Sequence, residues 1–389
     1  MIRSLHVKNF LSLKDFQLDF TQRNVLVGPN MSGKTNIINA LRFLTLFLSN
    51  NLSQGLNEFG GIADFYWKGV HNRDRAVSFK IDCNIADPAN PANPGQFTYL
   101  IELQGSNEGV VTVERENLVL HQEGKNVSLI DIHRGKGKVL HIDGREAFQP
   151  PGLSSSALEF AVPGWYGSVI KYSITRWCFY NLSPLSMKRI NPIKIESFLA
   201  LDGSNISSWL LNLQTKYPKE FRAFKQAITD ALPEVEEILT FPTQASMAFL
   251  ATKERSLGSA VPMWRMSDGE LVFLAYVSLM FAPLELGAPV YCIEEPENYM
   301  NPRLLELLVE IHNQRRRELQ GQAAQIVITT HSPSLVNKLD LEELVITRKK
   351  DGITSCIRGT AVGGKFKELL REKEIGLGEL WQSGALNAD

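Results

Sequence analysis

Three clusters of residues have the types and spacing to act on a phosphate anhydride. The first is Gly28-Pro29-Asn30-Met31-Ser32-Gly33-Lys34-Thr35-Asn36. Gly28 and Gly33 let the backbone turn tightly and bring amide N–H groups against phosphate oxygens. Lys34 offers a point charge for β- and γ-phosphates, and the Thr35 hydroxyl is placed to hold Mg²⁺. The second cluster is Val290-Tyr291-Cys292-Ile293-Glu294-Glu295-Pro296-Glu297, an apolar run that delivers paired acids at its end. Glu294 is expected to hold the metal, directly or through water, and Glu295 to polarise an attacking water. The third is Gln325–Pro333, where His331 ends an apolar run within reach of a γ-phosphate. A weaker pattern, Ser267-Asp268-Gly269-Glu270, precedes the paired acids. Ser267 can cap a helix there, and Gly269 lets a phosphate approach the helix start. Taken together, these residues imply a protein that binds a nucleoside triphosphate.

The elements that must position them are legible around each cluster. Val25-Leu26-Val27 reads as a strand entering the Gly-x-x-x-x-Gly-Lys-Thr loop, and Ile37, Ile38, Ala40, Leu41, Phe43 and Leu44 give the following helix, to about Ser49. Upstream, two strands are expected at Ile2–Lys8 and Phe16–Phe20, joined by Asn9–Lys14. The loop Gly60–Gly69 is dense in aromatics and reads as a core plug rather than a nucleotide contact. Short alternating runs at Val77–Cys83, Phe97–Leu103, Val110–Glu114, Leu118–His121 and Val139–Ile142 predict an antiparallel sheet, with Pro88–Pro94 as a polar loop. Arg176–Leu182 reads as a buried strand leaving the first lobe. A helical stretch follows over 194–232, with Asp202–Asn205 as turn and N-cap. Residues 236–264 return to strands, and Leu271–Met280 has helical periodicity. This predicts three parts: a nucleotide-binding lobe with an antiparallel β insertion (1–185), a helical subdomain (186–235) and a second lobe (236–389).

Composition narrows the class further. In 389 residues, 44% are hydrophobic and 21% charged, as in an ordinary globular protein. A net charge of −1 argues against a dominant polyanion-binding surface. Cys83, Cys178, Cys292 and Cys356 stand far apart with no C-x-x-C pair, which reads as reduced thiols. The N-terminus lacks the apolar core of a signal peptide, and the most apolar window, Leu271–Leu286, is too short to span a bilayer. A cytoplasmic protein without a membrane partner is expected. Arg315-Arg316-Arg317 is the densest basic cluster and reads as a solvated helix face.

The motifs in this order resemble the ABC-type ATPase heads of the RecF, SMC, Rad50 and OLD group. The whole chain is similar to the stand-alone AAA-family ATPases often called AAA_21, from Leu5 to Gly378-Glu379-Leu380-Trp381-Gln382-Ser383-Gly384. The resemblance implies an α/β P-loop NTPase fold with a mixed and antiparallel β lobe and a small helical lobe. It assigns Gly28–Thr35 to Walker A, Met266–Glu270 to the ABC signature, Ile293–Glu297 to Walker B, Asn298–Pro302 to the D-loop and His331 to the switch histidine. It further implies ATP and Mg²⁺ as cofactors and a head-to-tail dimer in which Ser267 meets the phosphate held by Lys34 of the other copy. This sequence departs from the pattern in places: Glu294 replaces the usual Asp, the D-loop lacks a His before Pro302, and Asn9-Phe10-Leu11 replaces Asn-Phe-Arg. Asn181 is the nearest candidate for a Q-loop residue. No heptad run is long enough for a coiled coil, and the stretch after His331 reads as too short for a Toprim domain, so no nuclease site is expected here. The expected role is the ATPase and sensor subunit of a two-component defence or toxin–antitoxin-like system that controls a separate effector, such as a Toprim-like nuclease. The alternative is a RecF-like repair ATPase that binds DNA as an ATP dimer.

Overall fold

A computed structural model of the chain describes residues 1–362 and 376–382, apart from 71, 88–89, 107–108, 123, 161, 284 and 320–322. Two units are distinguished: Met1–Trp177 with Leu341–Val362, and Cys178–Asp340 with residues 376–382.

In the first unit, alternating side chains build an eight-stranded antiparallel sheet. Leu13–Asp19 lies at one edge beside Ile2–Phe10, followed by Ala76–Asp87, Asn90–Gly105, Val111–Gln122, Lys125–His133, Lys136–Leu140 and Glu146–Phe148. Cross-strand rows fix the register. Leu5, Ile81, Tyr99 and Leu118 stand side by side, as do Val7, Phe79 and Ile101, all on the buried face. The helix Lys34–Ser49 turns Phe43 toward this face, with its ring 5.0 Å from Phe79 and 4.6 Å from Phe65. Each such ring contributes roughly 1.5–3 kcal/mol by leaving water.

The strand Arg23–Val27 that enters the phosphate loop is buried throughout. It pairs in parallel with Leu344–Lys350, Leu344 opposite Val25 and Ile346 opposite Val27. Ile353–Arg358 then pairs antiparallel with that strand. The buried pair Arg23–Glu343, 2.7 Å, ties the entrances of these strands together.

In the second unit, Cys178–Tyr180, Val290–Glu294 and Gln325–Thr330 run parallel. Helix Asp268–Met280 is buried at every residue from Leu271 to Leu279, as an all-round apolar helix must be. Its Ser278 hydroxyl receives the Trp209 indole N–H at 3.0 Å. Helices Ile206–Lys216 and Pro218–Ala231 and a small antiparallel set around Met247–Glu254 complete this unit. Among the described residues no helix is long and apolar enough to cross a membrane.

Local expectations shift in four places. The first hairpin is tighter than expected, Ile2–Phe10 and Leu13–Asp19, because Asn9 and Leu11 take left-handed backbones (φ 57° and 50°) that turn the chain in two residues. The expected loop 88–94 is entered by the strand Asn90–Gly105, with Asp87 opposite Asn90; residues 88–89 lie outside the described part. Val110–Glu114 and Leu118–His121 prove to be one strand, Val111–Gln122, since a bulge carries the ladder across Glu102/Leu103. Residues 194–201 are not helical, while the expected turn Asp202–Asn205 and the helix start at Ile206 are found. Asn205 turns its side chain back to Ala200 N and Phe198 O instead of capping, and Asn191 accepts the Ser207 and Ser208 amides of the helix start.

Candidate active site

The phosphate loop is held from behind by strands far away in sequence. Ser32 Oγ lies 2.9 Å from Thr347 Oγ1, which itself donates to Val27 O. Thr354 Oγ1 donates to Ser32 O and lies 2.6 Å from Ser12 Oγ, which receives the Asn36 amide at 2.7 Å. These hydroxyls explain the glycines. A Cβ on Gly28 would come within 2.4 Å of Thr347 O, and one on Gly33 within 2.0 Å of Thr354 Oγ1. Gly33 also needs its φ of 100°, a left-handed value costly for any residue with a Cβ. Lys34 is buried, and its Nζ donates to Gly28 O at 2.9 Å and Pro29 O at 3.3 Å. Pro29, Asn30, Met31 and Thr35 are exposed along the loop. The helix that begins at Lys34 has no side-chain cap and no acid in its first turn. Its leading amides therefore suit an anion, and the loop fits a polyphosphate.

In the second unit, the strand Val290–Glu294 ends where Glu295 turns into a left-handed backbone, φ 45° and ψ 58°. Such strain in a non-glycine residue is a mark of functional sites. Glu295 Oε1 stands 3.4 Å from His331 Nε2. Asn298 Nδ2 donates to the other Glu295 oxygen at 3.4 Å. Glu294, half-buried, sits one residue earlier with Thr329 opposite it on the neighbouring strand. Glu297 lies in the run likened to Walker B but is given no role of its own by the sequence; its Oε1 accepts the His331 backbone N–H. Burial, reinforced by Glu297 and Glu294, pushes the Tyr276 phenol well up. Asn181 is exposed just beyond its strand.

Ser267 caps the helix Asp268–Met280 as expected, its Oγ accepting Glu270 N–H at 3.1 Å. The space left by the absent Gly269 Cβ is taken by Tyr299 O, 2.7 Å from where that Cβ would sit. Close packing against Tyr299 is thus one reason for glycine there. Burial, then the Glu254 charge, holds the Glu270 carboxyl above the ordinary range.

A family model described as "AAA ATPase domain" matches residues 1–231, more than half of the chain. The chain belongs to that family. A second model, "AAA domain, putative AbiEii toxin, Type IV TA system", matches residues 190–337 of this ATPase. It is similar to the DNA replication and repair protein RecF from two strains of Lactococcus lactis subsp. cremoris, 40% identical over 53 residues. That match spans 13% of the ATPase and only 15% of each RecF chain. Among solved structures it is similar to an SMC head bound to the C-winged helix domain of ScpA, with a TM-score of 0.54 and 15% identity over 92% of this chain and 96% of that one. An SMC head with an extended coiled coil, bound to the C-terminal domain of ScpA derived from Pyrococcus furiosus, gives a TM-score of 0.52 at 13% identity, covering 96% and 99%. The ATPase has the mixed α/β fold of SMC heads.

The aromatic loop of the ATPase divides its work. Phe65 and Tyr66 are buried, Phe65 against Phe10 and Phe59, which makes the expected plug. Trp67, next in sequence, lies half-exposed on a cavity of about 750 Å³ lined also by Ser12, Lys14, Asn36, Lys349 and Asp351. Lys14 Nζ sits 4.5 Å from the Trp67 ring centre. Ser12, Thr347 and Thr354 could not be found by motif, because a lone hydroxyl residue in a turn or a strand carries no local signal.

Proposed function

We propose that this ATPase binds ATP through Gly28–Asn36 and hydrolyses it with Glu295 as general base and His331 beside it. The observation that carries the reading is the phosphate loop, with its uncapped helix start and buried Lys34. In this mechanism the loop amides and Lys34 take the phosphate charge. Glu295 accepts a proton from the attacking water as the new bond to the γ-phosphorus forms and the bond from that phosphorus to the β,γ-bridging oxygen breaks, ADP leaving with the electron pair. The His331 ring steadies that carboxylate. Mg²⁺ would be held by Thr35 and Glu294, whose hard oxygen donors suit it, and would neutralise charge on the β- and γ-phosphates. Ser267, Gly269 and Glu270 would engage the nucleotide of a second copy in a head-to-tail homodimer or a larger assembly.

For the biological role, the description of the matched family as a putative AbiEii toxin of a type IV system supports a regulatory subunit of a two-component defence or toxin–antitoxin-like system. A separate effector would then do the damage, a Toprim-like nuclease being the candidate class. The RecF match supports a second reading, a DNA-maintenance ATPase that binds DNA as an ATP dimer, although a net charge of −1 does not favour it.

Calorimetry with ATP tests the core of this reading. Lys34→Ala is expected to weaken binding by roughly 100-fold or more, because a buried cation is lost against the phosphates. Equal affinity in parent and variant would sink it. Phage challenge of cells carrying the chain with its neighbouring gene, set beside DNA binding by the ATP-loaded protein, separates the two biological roles.

A further inference from the structure

The turn after Val290–Glu294 holds a third acid, Glu297, for which the mechanism above has no task. The ladder explains its position. Glu294 lies opposite Thr329, and Glu295 N donates to Thr329 O at 2.9 Å. In a parallel pair of that register the next bond would run from the His331 N–H to Glu295 O. That bond is absent because Glu295 has turned left-handed and its carbonyl accepts Asn298 N–H instead, at 3.1 Å. The Glu297 carboxylate accepts the His331 N–H in its place. A side chain thus replaces one rung of the sheet, at the residue whose ring faces Glu295.

The neighbours of His331 are fixed on both sides. Thr330 Oγ1 receives Ser332 N–H at 2.9 Å, and Ser332 Oγ caps the short helix Pro333–Val336 through Leu335 N. Beyond that helix, Asn337 Oδ1 receives Gly378 N–H from the C-terminal helix. The Glu297 carboxylate on the His331 amide adds a tether to the backbone that carries the ring. Glu297 also carries a cost, since its Oε2 is buried with no hydrogen-bond partner among the described residues, an arrangement that disfavours the fold. A carboxylate kept under such a penalty needs a reason beyond stability.

We propose that Glu297 is a positioning residue, whose carboxylate fixes the His331 backbone and so holds the imidazole against Glu295. The proposal rests on the reading of Glu295 and His331 as the hydrolytic pair. A charge-assisted hydrogen bond to a backbone N–H is a strong tether, and loss of alignment at a reacting pair slows turnover without touching ground-state binding.

Four variants test it: Glu297→Ala, Glu297→Gln, His331→Ala and the double variant with both alanines. Glu297→Ala is expected to lower kcat about tenfold or more while KM for ATP stays within about twofold. Glu297→Gln, whose amide oxygen accepts the same N–H, is expected to recover most of that loss. In the His331→Ala background, Glu297→Ala should cost less than about twofold more, because it acts through a ring already removed. Hydrogen exchange of a peptide over residues 329–334 should rise in Glu297→Ala and not in Glu297→Gln. That measurement needs no hydrolysis, so a parent without turnover would overturn the ATPase mechanism yet leave the tether tested. Unchanged exchange in Glu297→Ala, a Gln variant as slow as the Ala variant, or fully additive losses would each overturn the proposal.

Discussion

Glu295 Oε1 stands 3.4 Å from His331 Nε2, although 35 intervening residues and a whole helix, Pro302–Glu318, separate them along the chain. Parallel pairing of their two strands is what brings them together, with Ile293 opposite Ile328 and Glu294 opposite Thr329. The contact distinguishes Glu295 from its neighbour Glu294 and leads to the first prediction.

Glu295→Gln keeps the shape of the side chain and removes the base. ATP should bind as in the parent, while single-turnover hydrolysis falls by roughly 100-fold or more. Glu294→Gln should act instead by raising the Mg²⁺ concentration needed for half-maximal rate. Normal hydrolysis by Glu295→Gln together with an inactive Glu294→Gln would mean that the two acids have exchanged roles.

The support behind the phosphate loop predicts sensitivity at a residue no motif marks. Thr354→Val removes the hydroxyl that joins Ser12 Oγ to Ser32 O, and leaves buried partners unsatisfied at a cost of about 1–3 kcal/mol. Thermal unfolding should fall accordingly, and ATP affinity should drop with it, because the loop amides lose their frame. Gly33→Ala should be worse on both counts, since its Cβ would meet Thr354 Oγ1 at 2.0 Å. A Thr354→Val protein with parental Tm and parental ATP affinity would remove the network from the account.

The dimer makes a prediction by complementation. Ser267→Arg adds bulk and charge at the helix start without touching Lys34, so it should bind ATP nearly as the parent does and hydrolyse little. Mixed with Lys34→Ala chains, it should regain activity, because each heterodimer would hold one intact composite site. Crosslinked heterodimers with no activity beyond the sum of their parts would leave Ser267 as a plain helix cap.

Glu116 offers a test through pH. It is 1% exposed and accepts from Ser156 Oγ, Ala157 N, Leu158 N and Tyr99 OH. Burial nevertheless outweighs these donors and holds its carboxyl above the ordinary 4.5. An acid whose folded value is raised favours the folded state when protonated. That contribution is fully present below the unfolded value and is lost as pH rises through the folded one. Measured against Glu116→Gln, the parent should therefore lose stability as pH climbs above the ordinary carboxylate range. A difference in Tm that stays constant from acid to neutral pH would refute this.

The chemistry proposed for this protein is written locally. A phosphate loop is a run of adjacent residues, and its glycines, lysine and threonine act through backbone turns and side chains that the same run supplies. Glu294 and Glu295 likewise announce themselves at the end of one apolar strand, and His331 at the end of another. The alternating pattern of residues 77–148 showed the antiparallel sheet for the same reason: a period of two is a local property. What binds distant pieces was not legible. Nothing near Gly33 names Thr354 as the atom its missing side chain must avoid, and nothing near Val25 says that Leu344 will lie beside it. Those relations depend on strand pairing between segments more than three hundred residues apart. The helix expected over residues 194–201 is absent for a related reason: Asn205 turns its side chain back to Ala200 and Phe198, and Asn191, from a strand of the small sheet, takes over the helix start that Asn205 was expected to cap. Glu297 shows the limit most clearly. Its sequence neighbours mark it as one more acid in a turn, and only the left-handed backbone of Glu295 leaves the His331 amide for it to hold.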